Sequence, residues 1–160
     1  MIILWTDGSA EPNPGPGGFA VIEQAPDGSG RPVALGRDKA TTNIRMEGSA
    51  LIAAIKYADK KPVEIHTDSQ FWINVLTKWA PGWAALNWHK KDELIHDNIG
   101  EVIGYKPTAI KNLDLVQKLY KLYTENPVNL VWVKGHVGTA LNELADEWAN
   151  KARKGATLAS

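Results

Sequence analysis

Nine consecutive residues near the N-terminus, Ala10-Glu11-Pro12-Asn13-Pro14-Gly15-Pro16-Gly17-Gly18, contain three prolines and three glycines. Neither a helix nor a strand ladder runs through such a composition, because proline lacks the N–H and glycine carries the largest backbone entropy. The segment must be a rigid connection. Apolar runs flank it, Ile2-Ile3-Leu4-Trp5 before and Phe19-Ala20-Val21-Ile22 after. The pattern is a hairpin whose first strand is buried on both faces. Thr6-Asp7-Gly8-Ser9 lies where that strand leaves the core, so a carboxylate stands at its edge. A turn-forming aspartate bonded to backbone amides explains Asp7 equally well at this point.

A chain of 160 residues has the length of one domain and can bury a sizeable core. The absence of cysteine excludes disulfides and thiol chemistry and is compatible with a reducing, cytoplasmic setting. No basic leader with a long apolar run opens the chain, and no stretch approaches the roughly eighteen apolar residues of a membrane span. Neither a signal peptide nor a membrane association is expected. The formal net charge is zero, which argues against gripping nucleic acid by bulk charge; any such grip must be local.

Beyond the first hairpin, Ala25-Pro26-Asp27-Gly28-Ser29-Gly30 is a second turn, and a third strand at 32–36 completes an antiparallel meander. Thr42 or Asn43 caps a helix over 45–59, with Glu47 one turn before the inward-facing Leu51. A strand at 62–67 ends in Asp68-Ser69 and opens a helix at 70–78, which Pro81-Gly82 should break. Apolar spacing predicts a helix at 92–102, then a loop at 104–109, then a helix at 113–123. Leu130-Val131-Trp132-Val133, within a strand at 128–133, is nearly continuously apolar and reads as central. Lys134-Gly135-His136-Val137-Gly138-Thr139 is a loop, and the last helix covers 141–153. The expected fold is a single α/β domain, residues 1–155, with a loose tail at 156–160. Its five-stranded mixed sheet has three antiparallel strands, then two parallel ones, flanked by helices.

Asp7, Glu47 and Asp68 each sit at a junction between a strand or loop and the next element, and Asp146 sits on the last helix. In α/β sheets, sites form where strand ends meet helix starts. Taken singly, each acid also fits a structural role: Glu47 for the helix dipole, Asp68 as an N-cap. If the four converge, their mutual repulsion calls for a cation, and oxygen-only donors suit Mg²⁺ or Mn²⁺ rather than zinc. Two such ions activate a water and stabilise the leaving oxygen of a phosphodiester.

Thr6-Asp7-Gly8-Ser9, Asn13-Pro14-Gly15-Pro16-Gly17-Gly18, Thr42-Asn43-Ile44-Arg45-Met46-Glu47, Thr67-Asp68-Ser69-Gln70 and Trp132-Val133-Lys134-Gly135-His136 follow one another along the chain. Asn142-Glu143 and Asp146 complete the series. In order and content this set resembles type 1 ribonuclease H of the bacterial kind, over nearly the whole chain. The resemblance implies the ribonuclease H-like fold and endonucleolytic hydrolysis of the RNA strand of an RNA–DNA hybrid. It implies two Mg²⁺ ions, replaceable by Mn²⁺, with 5′-phosphate and 3′-hydroxyl products. It also implies that Asp7, Glu47, Asp68 and Asp146 are catalytic metal ligands and that His136 assists proton transfer or product departure. Ser9, Asn13, Asn43 and Gln70 match positions lining the minor groove, where the 2′-hydroxyl distinguishes RNA from DNA. Trp79 and Thr42 match the groove for the DNA strand, and Asn112 matches a phosphate-pocket residue. A cytoplasmic monomer is expected.

Some positions depart from the family pattern. Ile44 stands where a polar amide is common, and Ala40 where a basic residue is. Ala84 and Ala85 replace lysines of a basic protrusion, partly offset by His89, Lys90 and Lys91. A segment at about 89–110 reads as an insertion. These changes predict weaker hybrid affinity and a steep loss in salt. The first strand starts at residue two, so no hybrid-binding module is expected ahead of it. The alternatives are another nuclease on the same fold and a catalytically silent hybrid-binding domain.

Overall fold

A computed structural model describes residues 1–88, 90–134 and 139–158, with 90–96 and 102–108 described by their backbone alone. The chain runs β1 (Ile2–Ala10), β2 (Gly15–Gln24), β3 (Gly30–Thr41), α1 (Asn43–Ala58), β4 (Val63–Thr67) and α2 (Gln70–Asn74). A π-helical turn (Val75–Trp79) leads into α3 (Ala80–Ala85). Then come β5 (Lys90–His96), β6 (Val102–Thr108), α4 (Leu113–Glu125), β7 (Val128–Trp132) and α5 (Ala140–Arg153). The main sheet has the order β3-β2-β1-β4-β7. β1 pairs antiparallel with β2 and parallel with β4, and β4 pairs parallel with β7. The expected mixed sheet of five strands is therefore present.

Alternation along β1 divides the core. Leu4 faces a large cluster with Val21, Ile65, Leu51 and Ile55 of α1, Trp72, and Val116 and Leu119 of α4. Trp5 faces the opposite side, packing with Ile22 and with Ala145, Leu141, Leu144 and Trp148 of α5. Both faces of β1 are thus covered, as its apolar run implies. Two glycines set how closely helices approach the sheet. A Cβ on Gly8 would fall onto the backbone of Met46 and Glu47, and one on Gly18 onto the backbone of Ala149 and Arg153. The fully buried Trp72 ties α2 to the start of α1, its Nε1 donating to the Ile44 carbonyl at 2.7 Å. Trp72→Phe should remove that second hydrogen bond to the Ile44 carbonyl and part of a fully buried ring, at a cost of about 2 kcal/mol. Thermal melting should show Tm lowered by roughly 4–8 °C.

Several expectations are corrected. Residues 92–102 are not helical: β5 and β6 form a separate antiparallel hairpin that also takes up the loop expected at 104–109. Its turn is built by Asp97, whose Oδ1 accepts from the N–H of Ile99 at 3.0 Å and of Glu101 at 2.9 Å, and by Gly100 at φ 89°. An Asp-Asn-x-Gly turn between β-branched residues outweighs an apolar spacing that only coincidentally fits a helix. Pro81 does not break the helical path. It sits in the first turn of α3, where its N–H is not needed. The preceding turn has widened to π geometry, which removes the clash between the proline ring and the carbonyl four residues earlier. β7 is an edge strand, not a central one, and Trp132 is 48% exposed. A continuous apolar run reports partners on a strand's faces and says nothing of its two edges. The Pro/Gly segment does carry a strand ladder at both ends: β1 runs to Ala10, which pairs with Gly17, and β2 starts at Gly15, because glycines between the prolines still offer their N–H groups. β3 is longer than 32–36, because residues 37–40 are exposed on the other sheet edge and show no alternation.

Candidate active site

The register of the sheet explains why two of the acids meet. Trp5 pairs with His66 across the parallel β1–β4 ladder, and two residues further on Asp7 comes beside Asp68. Neighbouring strands lie about 4.8 Å apart, so like charges are forced together at the sheet's carboxyl end. α5, pressed against β2 and β1, brings Asp146 to the same place. A cleft of ≈ 210 Å³ is lined by Asp7, Asp68, Asn142, Glu143 and Asp146. Glu47 arrives from α1 through the close contact at Gly8, accepts a hydrogen bond from Ser69 and feels the charge of Asp68.

Electrostatics reflect this crowding. Asp7 is 8% exposed. Burial first, then the charge of Asp68, then a hydrogen bond shared with Asp146 and its charge push the Asp7 carboxyl up to about 9. The Gly8 N–H offsets this only in part. Burial disfavours the charged form of the Asp7 carboxyl, and the neighbouring acids add to that penalty. Burial also raises Glu47 to about 7; the Ser69 bond lowers it and Asp68 raises it. Among the described residues, no three His, Cys, Asp or Glu side chains form, as they stand, a group that could hold a metal ion. The carboxylates line an open cleft, where a cation would relieve their mutual repulsion. Oxygen donors only, with excess negative charge, fit a hard divalent ion.

The other predicted residues fall into two groups beside the cleft. Asn43 Oδ1 accepts from the Ala10 N–H at 2.7 Å, and Asn13 Oδ1 accepts from the Asn43 N–H at 3.2 Å. Both amide oxygens are spent on backbone, so what each side chain retains is its donating amino group. Ser9, one residue before the end of β1, has a buried Oγ with no hydrogen-bond partner among the described residues, and Gln70 is exposed at the start of α2. The second group joins the starts of α1 and α4. Thr42 caps α1 by accepting from the Arg45 N–H, and Arg45 Nη1 donates to Asn112 Oδ1 at 3.2 Å. Arg45 also forks Asp114, at 3.0 and 2.8 Å, which holds that carboxyl down to about 2. Trp79 is 41% exposed and leans on Phe71 and Trp83. Ile44 packs half-buried against the core. His136 lies outside the described residues.

Glu143, Ser69 and Arg45 join these groups without having been singled out by sequence reasoning. Glu143 carries a signal, since it lies three residues from Asp146 on one helix and so shares its face. Arg45 carries none, because its partners come from 67 and 69 residues away.

Comparison with known proteins agrees with this geometry. Residues 1–154 match the RNase H family. The chain is 37% identical over 149 residues to a ribonuclease H of Caulobacter sp. (strain K31), covering 92% of this chain and 86% of that one. It is 37% identical over 154 residues to a ribonuclease H of Methylorubrum extorquens (strain PA1), covering 95% of this chain and 60% of that longer one. Among solved structures it is similar to LC9-RNase H1, described as a type 1 RNase H with the type 2 active-site motif. That match has a TM-score of 0.70 and 28% identity, over 98% of this chain and 73% of the other. An acid cleft built by strand register, on this fold and with these relatives, places the chain in the ribonuclease H family.

Proposed function

We propose that residues 1–155 act as one catalytic domain, carrying an inserted segment at about 89–110, that cleaves the RNA strand of RNA–DNA hybrids endonucleolytically. Products carry 5′-phosphate and 3′-hydroxyl ends. The observation that carries this reading is the buried Asp7 standing with Asp68 and Asp146 in one acid-lined cleft: carboxylates crowded in this way await a cation. Asp7, Glu47, Asp68 and Asp146 hold two Mg²⁺ ions, or Mn²⁺ in their place. Such ions, when bound, supply a Lewis acid for the phosphodiester and lower the pKa of an attacking water. Asp7 fixes the cleft's floor, Glu47 reaches toward the RNA sugar, and His136 carries a proton to or from the products. Ser9, Asn13, Asn43 and Gln70 offer polar groups to the minor groove; the amino groups of Asn13 and Asn43 suit the acceptors and hydroxyls exposed there. Trp79 packs against a DNA sugar, and Thr42 with Asn112 holds a DNA phosphate. The enzyme works as a cytoplasmic monomer. No helix among the described residues is long and apolar enough to cross a membrane.

Cleavage of an end-labelled hybrid, with duplex DNA and duplex RNA beside it and with Mg²⁺ added or chelated, tests this directly. Divalent-dependent cuts confined to the hybrid's RNA strand are expected. Binding without cleavage at any divalent concentration overturns it in favour of a silent binding domain. Arg45 supplies a further check, because only a guanidinium reaches both Asp114 oxygens and Asn112 together. Arg45→Lys should loosen Asn112 and raise KM several-fold, with kcat at saturating hybrid retained.

A further inference from the structure

A second cleft, also ≈ 210 Å³, is lined by Pro16, Arg37, Asp38, Lys39 and Arg153. Three cations share it in a chain of zero formal net charge. Its one acid is turned to its own strand, Asp38 Oδ1 accepting from the Ala40 N–H at 3.1 Å. Arg153 is set deep, its side chain 17% exposed, and its buried Nε has no hydrogen-bond partner among the described residues. The contacts of its Nη2 are long, 3.4 Å to Asn150 Oδ1 and 3.5 Å to Oε2 of the exposed Glu11. A buried donor left this way is costly until an acceptor arrives. Complementing the α5 dipole accounts for a cation in that last turn, but Lys151 is already there. It accounts for neither Arg37 nor Lys39, which come from β3.

Two measures place this cleft relative to the acids. Ser9, Gly18 and Arg37 are aligned in one row across β1, β2 and β3. Two strand spacings put Arg37 about 10 Å to the side of Ser9, itself two residues beyond Asp7. Along α5, Arg153 follows Asp146 by seven residues, about 10.5 Å on the same helical face. The close approach at Gly18 leaves no slack between helix and sheet. The two clefts are thus held at a fixed separation of about 10–12 Å, close enough for one strand's backbone to reach both.

We propose that Arg37, Lys39 and Arg153 form a second anchor for the phosphodiester backbone of the hybrid, about 10–12 Å from the point of cleavage. This rests on the reading of the chain as a hybrid nuclease. The anchor supplies locally the positive charge that the chain lacks in bulk.

Arg37→Gln combined with Lys39→Gln tests it, since both residues are exposed on an edge strand and an unchanged Tm certifies the fold. Hybrid Kd is measured against NaCl concentration, with kcat and KM in Mg²⁺. Kd and KM should rise about 5- to 20-fold at moderate salt with kcat unchanged. The slope of log Kd against log salt should shrink by roughly 1.8, about 0.9 for each phosphate the variant no longer neutralises. Hybrids carrying a single neutral methylphosphonate, moved phosphate by phosphate away from the cut in the RNA or in the DNA, identify the strand and the phosphate held. The variant should be insensitive to the substitution that weakens the parent. Unchanged Kd and slope overturn the anchor while leaving the nuclease intact. A parent that neither binds nor cleaves hybrid removes the nuclease reading and the anchor with it.

Discussion

Asp7→Asn should abolish cleavage and at the same time stabilise the cation-free protein. Loss of one member of a concerted site is expected to cost about 10³-fold or more in kcat. The stabilisation follows from the raised carboxyl of Asp7, near 9, and of Glu47, near 7. Both lie above their values in the unfolded chain, so the folded protein binds the extra protons. Their contribution is complete below about pH 4, where both states are protonated, and is lost as pH rises through 7 and 9. In EDTA the parent's Tm should therefore fall steadily from pH 5 to pH 9. Asparagine keeps the shape of Asp7 and never ionises. Recovering about 2 kcal/mol of the penalty at pH 8 raises Tm by roughly 4–8 °C. Mg²⁺ should raise the parent's Tm and barely move the variant's. A variant no more stable than the parent in EDTA at pH 8, or a flat parent Tm across that range, would show that neither burial nor the neighbouring acids penalise the Asp7 carboxylate.

Gly8→Ala is the second large effect, and it acts without touching any charged group. The added methyl meets main-chain atoms of Met46 and Glu47, and neither can rotate away as a side chain would. α1 must move outward, taking Glu47 with it. Overpacking of this kind costs about 1–3 kcal/mol. A displacement near 1 Å of a positioned group costs on the order of 10²-fold in rate. Cleavage assays and melting curves should both register the change, and Gly8→Ser should be at least as damaging. A Gly8→Ala protein with parental kcat would mean that α1 is not seated on β1 as closely as described.

Much of this is legible in the chain itself because the responsible signals are local. The meander declares itself through turn residues between apolar runs, and α1 and α5 through stripes repeating at helical spacing. Asp7 and Asp68 are conspicuous because Asp7 comes just after the apolar run of β1 and Asp68 directly after β4. What escapes is whatever depends on approach from afar. The hairpin of β5 and β6 imitates a helix in sequence, since Leu94, Ile95, Ile99 and Val102 happen to fall on one helical side while Asp97 and Gly100 close the actual turn. The edge position of β7 is a matter of which strands dock where, and its composition is silent on that. The grip of Arg45 on Asn112 and Asp114 joins two helix starts distant in sequence. The charge state of Asp7 emerges only once Asp68 and Asp146 have been delivered beside it.

The hairpin departs from Trp88, whose ring meets Tyr120 edge-on at 5.8 Å, and the chain re-enters the core at Ile110, which is 7% exposed. Between those two fixed posts it forms a sheet of its own and lends no strand to the main one. Everything that assembles the acids lies on the other side of the posts. Segments of different length or composition are therefore exchangeable at this junction without retooling the catalytic machinery, which makes it the natural place for lineages, or engineers, to fit new substrate preferences to an unaltered cutting edge.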